Sequence, residues 1–202
     1  MSSDSITYAY TIRNSRYLNV TDRCTLACRF CPKQAGNHEV RGHDLNMRKP
    51  PDSQTLIAAM GDPLAYDEVV FCGYGEPTLR LEVILAVAAY VCERGGRVRL
   101  NTDGLANLVH KRNVLPEMRG LIHAVSISMN AQNETLYEKY CQPGVKGSYQ
   151  AMLAFIALAS AYIPEVTATA INGLPGVDVN DCREIAARLG ADFRERQLDE
   201  VG

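Results

Sequence analysis

The sequence has no run of lysine or arginine that would track a nucleic-acid backbone. Its net charge at pH 7 is only −2, so no polyanionic partner is implied. Long hydrophobic runs are also missing. The longest apolar stretch, residues 151–161, is too short and too broken to cross a bilayer and reads as a buried helix. The start, Met1-Ser2-Ser3-Asp4-Ser5, lacks the basic residues and apolar core of a signal peptide. No internal repeat, low-complexity tract or linker divides the chain. These absences leave the expectation of one domain, residues 1–202, in the cytoplasm. In that compartment the seven cysteines are not a disulfide framework, and thiols at tight spacing point to metal or redox chemistry.

Elements of two kinds alternate along the chain. Strand signals lie at residues 17–21, 68–72, 97–101, 123–128, 165–171 and, more weakly, 192–196. Helical patterns lie between them at 54–60, 81–94, 105–118, 135–140, 148–161 and 178–189. Strict alternation argues for a parallel sheet with right-handed crossover helices. A full (β/α)₈ barrel typically needs about 250 residues. The expected α/β fold is therefore a partial, incomplete TIM barrel of about (β/α)6, open on one side, with a doubly wound open sheet as the alternative. Both place ligands at the C-terminal strand ends.

The strongest local signal is Cys24-Thr25-Leu26-Ala27-Cys28-Arg29-Phe30-Cys31. Its spacings put three thiols on one short loop after the first expected strand. Structural zinc sites want four ligands, usually as two pairs, and no second pair exists here. Three thiolates can instead hold three irons of a cubane and leave the fourth open to a ligand. Two other readings of the triplet stand beside this one: buried structural cysteines, and a zinc site completed by His38 or His43. Further polar groups fall at the ends of later strands. They are Gly73-Tyr74-Gly75-Glu76-Pro77, Asn101-Thr102-Asp103-Gly104, the alternating Ser126, Ser128 and Asn130, Ile171-Asn172-Gly173, and Arg194 with Arg196.

CxxxCxxC with an aromatic, Phe30, before the third cysteine resembles the signature of the radical S-adenosylmethionine (SAM) superfamily. Gly73-Tyr74-Gly75-Glu76-Pro77 resembles that family's Gly-Gly-Glu-Pro motif, with Tyr74 in place of a glycine. The segments around residues 40–45, 71–78, 101–104 and 126–132 are similar to a small subfamily, the TatD-associated radical SAM proteins. The resemblance implies a [4Fe–4S] cluster on Cys24, Cys28 and Cys31, with SAM chelated to the open iron through its amine and carboxylate. It implies SAM contacts from Phe30, Gly73, Tyr74, Gly75, Glu76, Pro77, Asn101, Thr102, Asp103, Ser126, Ser128, Asn130, Ile171, Gly173 and Arg194. Glu76 and the strand-end carbonyls would accept from the methionyl amine. The implied reaction is reductive cleavage of SAM to a 5′-deoxyadenosyl radical, which abstracts hydrogen from a substrate. The cofactor carries the hard chemistry. A low-potential donor such as flavodoxin or ferredoxin would supply the electron.

The substrate is not supplied by the resemblance; a protein loop and a small molecule both suit a wide barrel mouth. A glycyl-radical-enzyme activase or other peptide-modifying enzyme shares the same core. An electron carrier or a zinc module is the non-catalytic alternative. The loop at residues 32–51 is long for a βα connection and carries His43, expected to bind an ionic substrate or assist proton transfer. Gly36 and Gly42 are expected to be its flexible joints.

Overall fold

The structure, a computed structural model, describes residues 6–198; the polar start, residues 1–5, lies outside the described residues. Strands β1 (Ala9–Ile12) and β2 (Ser15–Asn19) are followed by the short β3 (Glu39–Val40) and β4 (His43–Asp44). Then come α1 (Ser53–Met60), β5 (Glu68–Cys72), α2 (Leu81–Glu93), β6 (Val98–Thr102), α3 (Ala106–His110), α4 (Leu115–Met118) and β7 (Ala124–Ser128). The chain continues with α5 (Glu134–Cys141), α6 (Ser148–Ala159), β8 (Glu165–Asn172), α7 (Val179–Arg188) and β9 (Asp192–Gln197). One seven-stranded sheet has the order β1-β2-β5-β6-β7-β8-β9. From β2 to β9 every neighbouring pair is parallel, and β1 alone runs antiparallel. The edges β1 and β9 do not pair with each other, so the sheet is a partial barrel with a gap.

The two-residue period of a strand divides the chemistry between the faces. Leu18, Val69, Phe71, Leu100, Val125, Ile127 and Ala168 turn outward. They pack with Leu56, Ile84, Val91, Met152, Phe155 and Cys182 from the helices. Burying each large apolar side chain contributes roughly 1.5–3 kcal/mol, so this outer layer holds the fold. The inner face is mostly polar toward β6–β9, where Arg99, Asn101, Ser126, Thr169 and Arg194 line a lumen.

Three expectations are corrected. First, the alternation is not strict, because β1 precedes the parallel set. It joins β2 through a two-residue turn, Ile12 pairing with Ser15, in which Arg13 takes a left-handed backbone. Tyr10 stacks on Tyr17 with ring centres 5.4 Å apart. Second, residues 105–118 are not one helix. Lys111 adopts φ +53° and ends α3. Pro116 then falls in the first turn of α4, where its missing N–H costs nothing. Third, the loop at 32–51 is structured. Gly36 ends a 3₁₀ turn at φ +75°, and Arg41-Gly42 form the tight turn of the β3–β4 hairpin, both with positive φ. The two glycines make turns rather than joints.

Candidate active site

The cysteine loop leaves β2 at Asn19, a buried residue whose amide donates to the carbonyls of Thr7 (3.1 Å) and Leu45 (3.0 Å). The loop then docks by its backbone onto the end of α5. Arg29 N donates to Tyr140 O (2.9 Å), Ala27 N to Cys141 O (3.1 Å) and Gly144 N to Thr25 O (3.1 Å). Sequence reading missed this docking segment, because backbone bonds leave no signature in side-chain spacing. Cys24, Cys28 and Cys31 all line a cavity of about 500 Å³ at the C-terminal ends of the strands. Burial pushes the Cys24 thiol up to about 12. Cys28 is raised by its hydrogen bond with Cys141 and then by burial, and Cys31 by burial.

The segment Gly73–Pro77 folds back onto this loop, and its glycines are there for that contact. A Cβ on Gly75 would sit within 2.5 Å of Arg23 O and still nearer to Thr21 O. A Cβ on Gly73, at φ +136°, would meet Asn19 Oδ1. Glu76 N donates to Arg23 O (2.8 Å) and fixes the register of the two segments. Tyr74, where the family pattern has glycine, donates from its hydroxyl to Glu39 O (2.9 Å). It thereby ties the β3–β4 hairpin to the motif.

With Thr102 and Asp103, Glu76 lines the cavity. Its carboxylate is buried and already accepts four hydrogen bonds. Oε1 takes Thr78 N (3.0 Å), Thr78 Oγ1 (2.6 Å) and Thr102 Oγ1 (2.8 Å); Oε2 takes Asp103 N (2.7 Å). Burial, and next the neighbouring Asp103 carboxyl, raise its pKa, while the donated bonds oppose the rise. Asp103 is likewise engaged, accepting from Leu105 N (2.9 Å) and from the Thr25 hydroxyl of the cysteine loop. Glu76, Thr102 and Asp103 thus stitch three strand ends together. Glu76→Gln keeps the shape but turns an amide N–H toward Asp103 N–H, donor against donor. The expected loss is about 1.5–3 kcal/mol of stability, measured by thermal or chemical unfolding, with iron loading intact. An unchanged transition would remove Glu76 from this role.

The cavity is also lined by Phe30, Asn101, Ser126, Ser128, Asn130, Ile171 and Arg194. Asn101 accepts from Arg99 (2.8 Å), and Ser126 lies 3.4 Å from Arg194 Nη2. Phe30 and Ile171 form an apolar wall with Tyr140 and Leu174. Pro77, Gly173 and His43 do not line it. Pro77 starts the buried 3₁₀ turn Pro77–Arg80, and Gly173 turns the chain at φ +99°. The His43 ring packs 5.5 Å from the ring of Tyr10 on β1, which does line the cavity. Thr169 and Cys72 line the cavity too, and were not anticipated. Their inward position follows from the strand register, which only the pairing of neighbours sets.

The family model described as "Radical SAM superfamily" matches residues 18–189, most of the chain, including the cysteine loop and Gly73–Pro77 but not Arg194. The chain belongs to the radical SAM superfamily. No curated protein matches it. Among solved structures it is similar in fold to TYW1 with a lysine-pyruvate adduct bound, at 14% identity and TM-score 0.64 over 93% of this chain and 66% of that one. It is also similar to Streptococcus suis SuiB bound to S-adenosylmethionine, at 13% identity and TM-score 0.61 over 92% of this chain and 40% of that one. The third is SuiB bound to precursor peptide SuiA, at 14% identity and TM-score 0.63 over 90% and 38%. The chain therefore spans about two fifths of the length of SuiB and two thirds of that of TYW1. Neither the matched model nor these structures single out the TatD-associated subfamily.

The radical SAM family uses a [4Fe–4S] cluster and SAM, and the residues present fit both. Among the described residues no three His, Cys, Asp or Glu groups converge as ligands of a single ion. A cubane asks for something else, one thiolate to each of three irons, and three thiols on one docked loop facing one cavity can supply that. Asn130 is the second sign. It is 2% exposed, holds φ +60°, and its Oδ1 has no hydrogen-bond partner although it lines the cavity. A strained, buried, unpaired acceptor is costly unless a ligand donor meets it.

Proposed function

We propose that this chain is a radical SAM enzyme in which Cys24, Cys28 and Cys31 hold the [4Fe–4S] cluster and SAM occupies the cavity beside them. The observation that carries the reading is the joining of the cysteine loop to Gly73–Pro77 through Glu76 N and Arg23 O, at the mouth of the lumen. Bound together, the cluster and SAM supply one-electron cleavage of SAM and hydrogen-atom abstraction from a substrate. The protein's share is orientation and the exclusion of water. Gly73, Tyr74 and Gly75 offer backbone at the cavity edge for the methionyl amine. Asn130 Oδ1 and Ser128 offer polar contacts for the ribose. Phe30 and Ile171 offer an apolar face for adenine. A low-potential donor such as flavodoxin or ferredoxin supplies the electron. The similarity at 126–132 and 71–78 supports the TatD-associated subfamily. The gap between β1 and β9 suits a protein loop as well as a small molecule, and SuiB, of the same fold, is seen with its precursor peptide. The reading places the enzyme in the cytoplasm with no membrane partner; no helix among the described residues is long and apolar enough to cross a membrane.

The test is anaerobic reconstitution with iron and sulfide. About four irons per chain are expected, with a reduced-state EPR signal that changes on adding SAM and with 5′-deoxyadenosine released under dithionite. Four irons with no response to SAM would make the protein an electron carrier. One equivalent of zinc in place of iron would make it a zinc module.

A further inference from the structure

The lumen below the cavity mouth carries positive charge that nothing in the site consumes. Four arginines line the cavity, Arg13, Arg99, Arg194 and Arg196. Arg99 is committed, with Nε and Nη2 holding Glu68 at 2.8–3.1 Å and Nη1 holding Asn101. Arg194 is different. The one hydrogen bond of its side chain among the described residues is a long one, Nη2 to Ser126 Oγ at 3.4 Å, and it has no carboxylate partner there. The side chains of Arg13 and Arg196 make no hydrogen bond or ion pair among the described residues. Glu195, the carboxylate beside them, is occupied by Asn172 Nδ2 (2.8 Å) and Gln197 Nε2 (3.0 Å).

The positions of these groups follow from topology. Arg194 lies on β9 and Arg13 in the β1–β2 turn, so the two open edges of the sheet each present a cation to the gap. Both also line a second cavity, of about 390 Å³, which reaches the N-terminal ends of the strands. Arg194 pairs with Thr169, whereas the cavity-wall residue Ile171 pairs with Arg196. Two residues of strand are roughly 6.5 Å, so Arg194 sits one step deeper than the apolar wall offered to adenine. Arg194 is exposed at this open edge, and its partial burial, then Arg99 and Arg196, pull the guanidinium below its ordinary value. An anion placed there would relieve that repulsion and meet a planar fork of donors with bidentate geometry.

We propose that the lumen binds an anionic oxygen group of the substrate, a carboxylate or phosphate, on Arg194 and Ser126, with Arg13 and Arg196 at its flanks. This rests on the radical SAM reading, since it names the class of molecule that reading leaves open. It moves Arg194 from the cofactor contacts implied by resemblance to the second ligand. The carboxylate of SAM is the competing source of the same chemistry, and the test separates them.

Reconstituted, SAM-loaded protein is titrated calorimetrically with inorganic pyrophosphate and with succinate. At least one should bind saturably at one site per chain. Arg194→Gln should weaken it at least tenfold, Arg194→Lys less, and SAM affinity should stay within twofold of the parent. A fall of tenfold in SAM affinity with Arg194→Gln would assign the guanidinium to the SAM carboxylate and overturn the proposal. So would binding of neither anion, or binding indifferent to Arg194. The same titration on metal-free protein separates the two readings. Arg194-dependent anion binding in a chain that never loads iron would retain the anion site while removing the radical chemistry.

Discussion

Replacing any one of Cys24, Cys28 or Cys31 by alanine is expected to abolish stable cluster loading. Iron should fall from about four per chain to near none, because each thiolate is the only protein ligand of its iron. No fourth cysteine on the loop can take over, and of the others Cys72, at the end of β5, lines the cavity and receives Asn101 Nδ2 (3.4 Å). Cys92 donates to Leu121 O (3.4 Å), and Cys182 is buried under α7 in the outer core. Cys92→Ala and Cys182→Ala should therefore keep the parental iron content. Cys141 is the discriminating control. It is buried, bonds with the Cys28 thiol, and receives Asn130 Nδ2 at 3.7 Å. In the three-ligand reading it packs beneath the loop, so Cys141→Ala should cost stability and still load about four irons. An empty site in Cys141→Ala, measured by iron assay and absorption, would mean a fully ligated cluster with no position for SAM.

The sequence made the six parallel strands legible, and the reason is physical. Most are β-prone runs closed by glycine or asparagine, as at Glu68–Cys72 before Gly73, and turn chemistry is local; β9 is the weak exception. What escaped was long-range or carried by backbone. Strand β1 pairs with β2 through a turn, Arg13-Asn14, without the usual glycine. The docking of the cysteine loop onto residues 140–144 rests on main-chain bonds that no side chain announces. Of the candidate site, the cysteines and the glycine motif could be read from their spacing and their place after a strand, and Ser126, Ser128 and Asn130 from their alternation. The division of labour among them could not. Glu76 looks like a free carboxylate in sequence, and only the three-dimensional meeting of Thr78, Thr102 and Asp103 around it shows it is filled. His43 follows the cysteines along the chain, and the Arg41-Gly42 turn sets its ring against Tyr10, a placement that side-chain spacing does not announce.

The glycines of the motif give the second large effect. Gly75→Ala should lower stability by about 3 kcal/mol or more and detach Gly73–Pro77 from the cysteine loop. The new methyl would meet the carbonyl oxygens of Thr21 and Arg23, which are backbone and cannot swing aside as a side-chain end can. Relief requires parting the two segments, which breaks the bond from Glu76 N to Arg23 O. A chain of this size should then lose roughly 6–12 °C in Tm, and SAM binding should fall with it even where some iron loads. Gly36→Ala is the comparison. Gly36 has φ +75° but nothing within 4 Å of a new Cβ, so its cost is backbone strain alone, about 1–2 kcal/mol, with SAM binding kept. The pair separates conformational strain from steric exclusion, since Gly75 is the one whose φ is not positive. Equal losses for Gly36→Ala and Gly75→Ala, in unfolding and in SAM titration, would show that the motif does not lean on the cysteine loop, and the joined site would have to be given up.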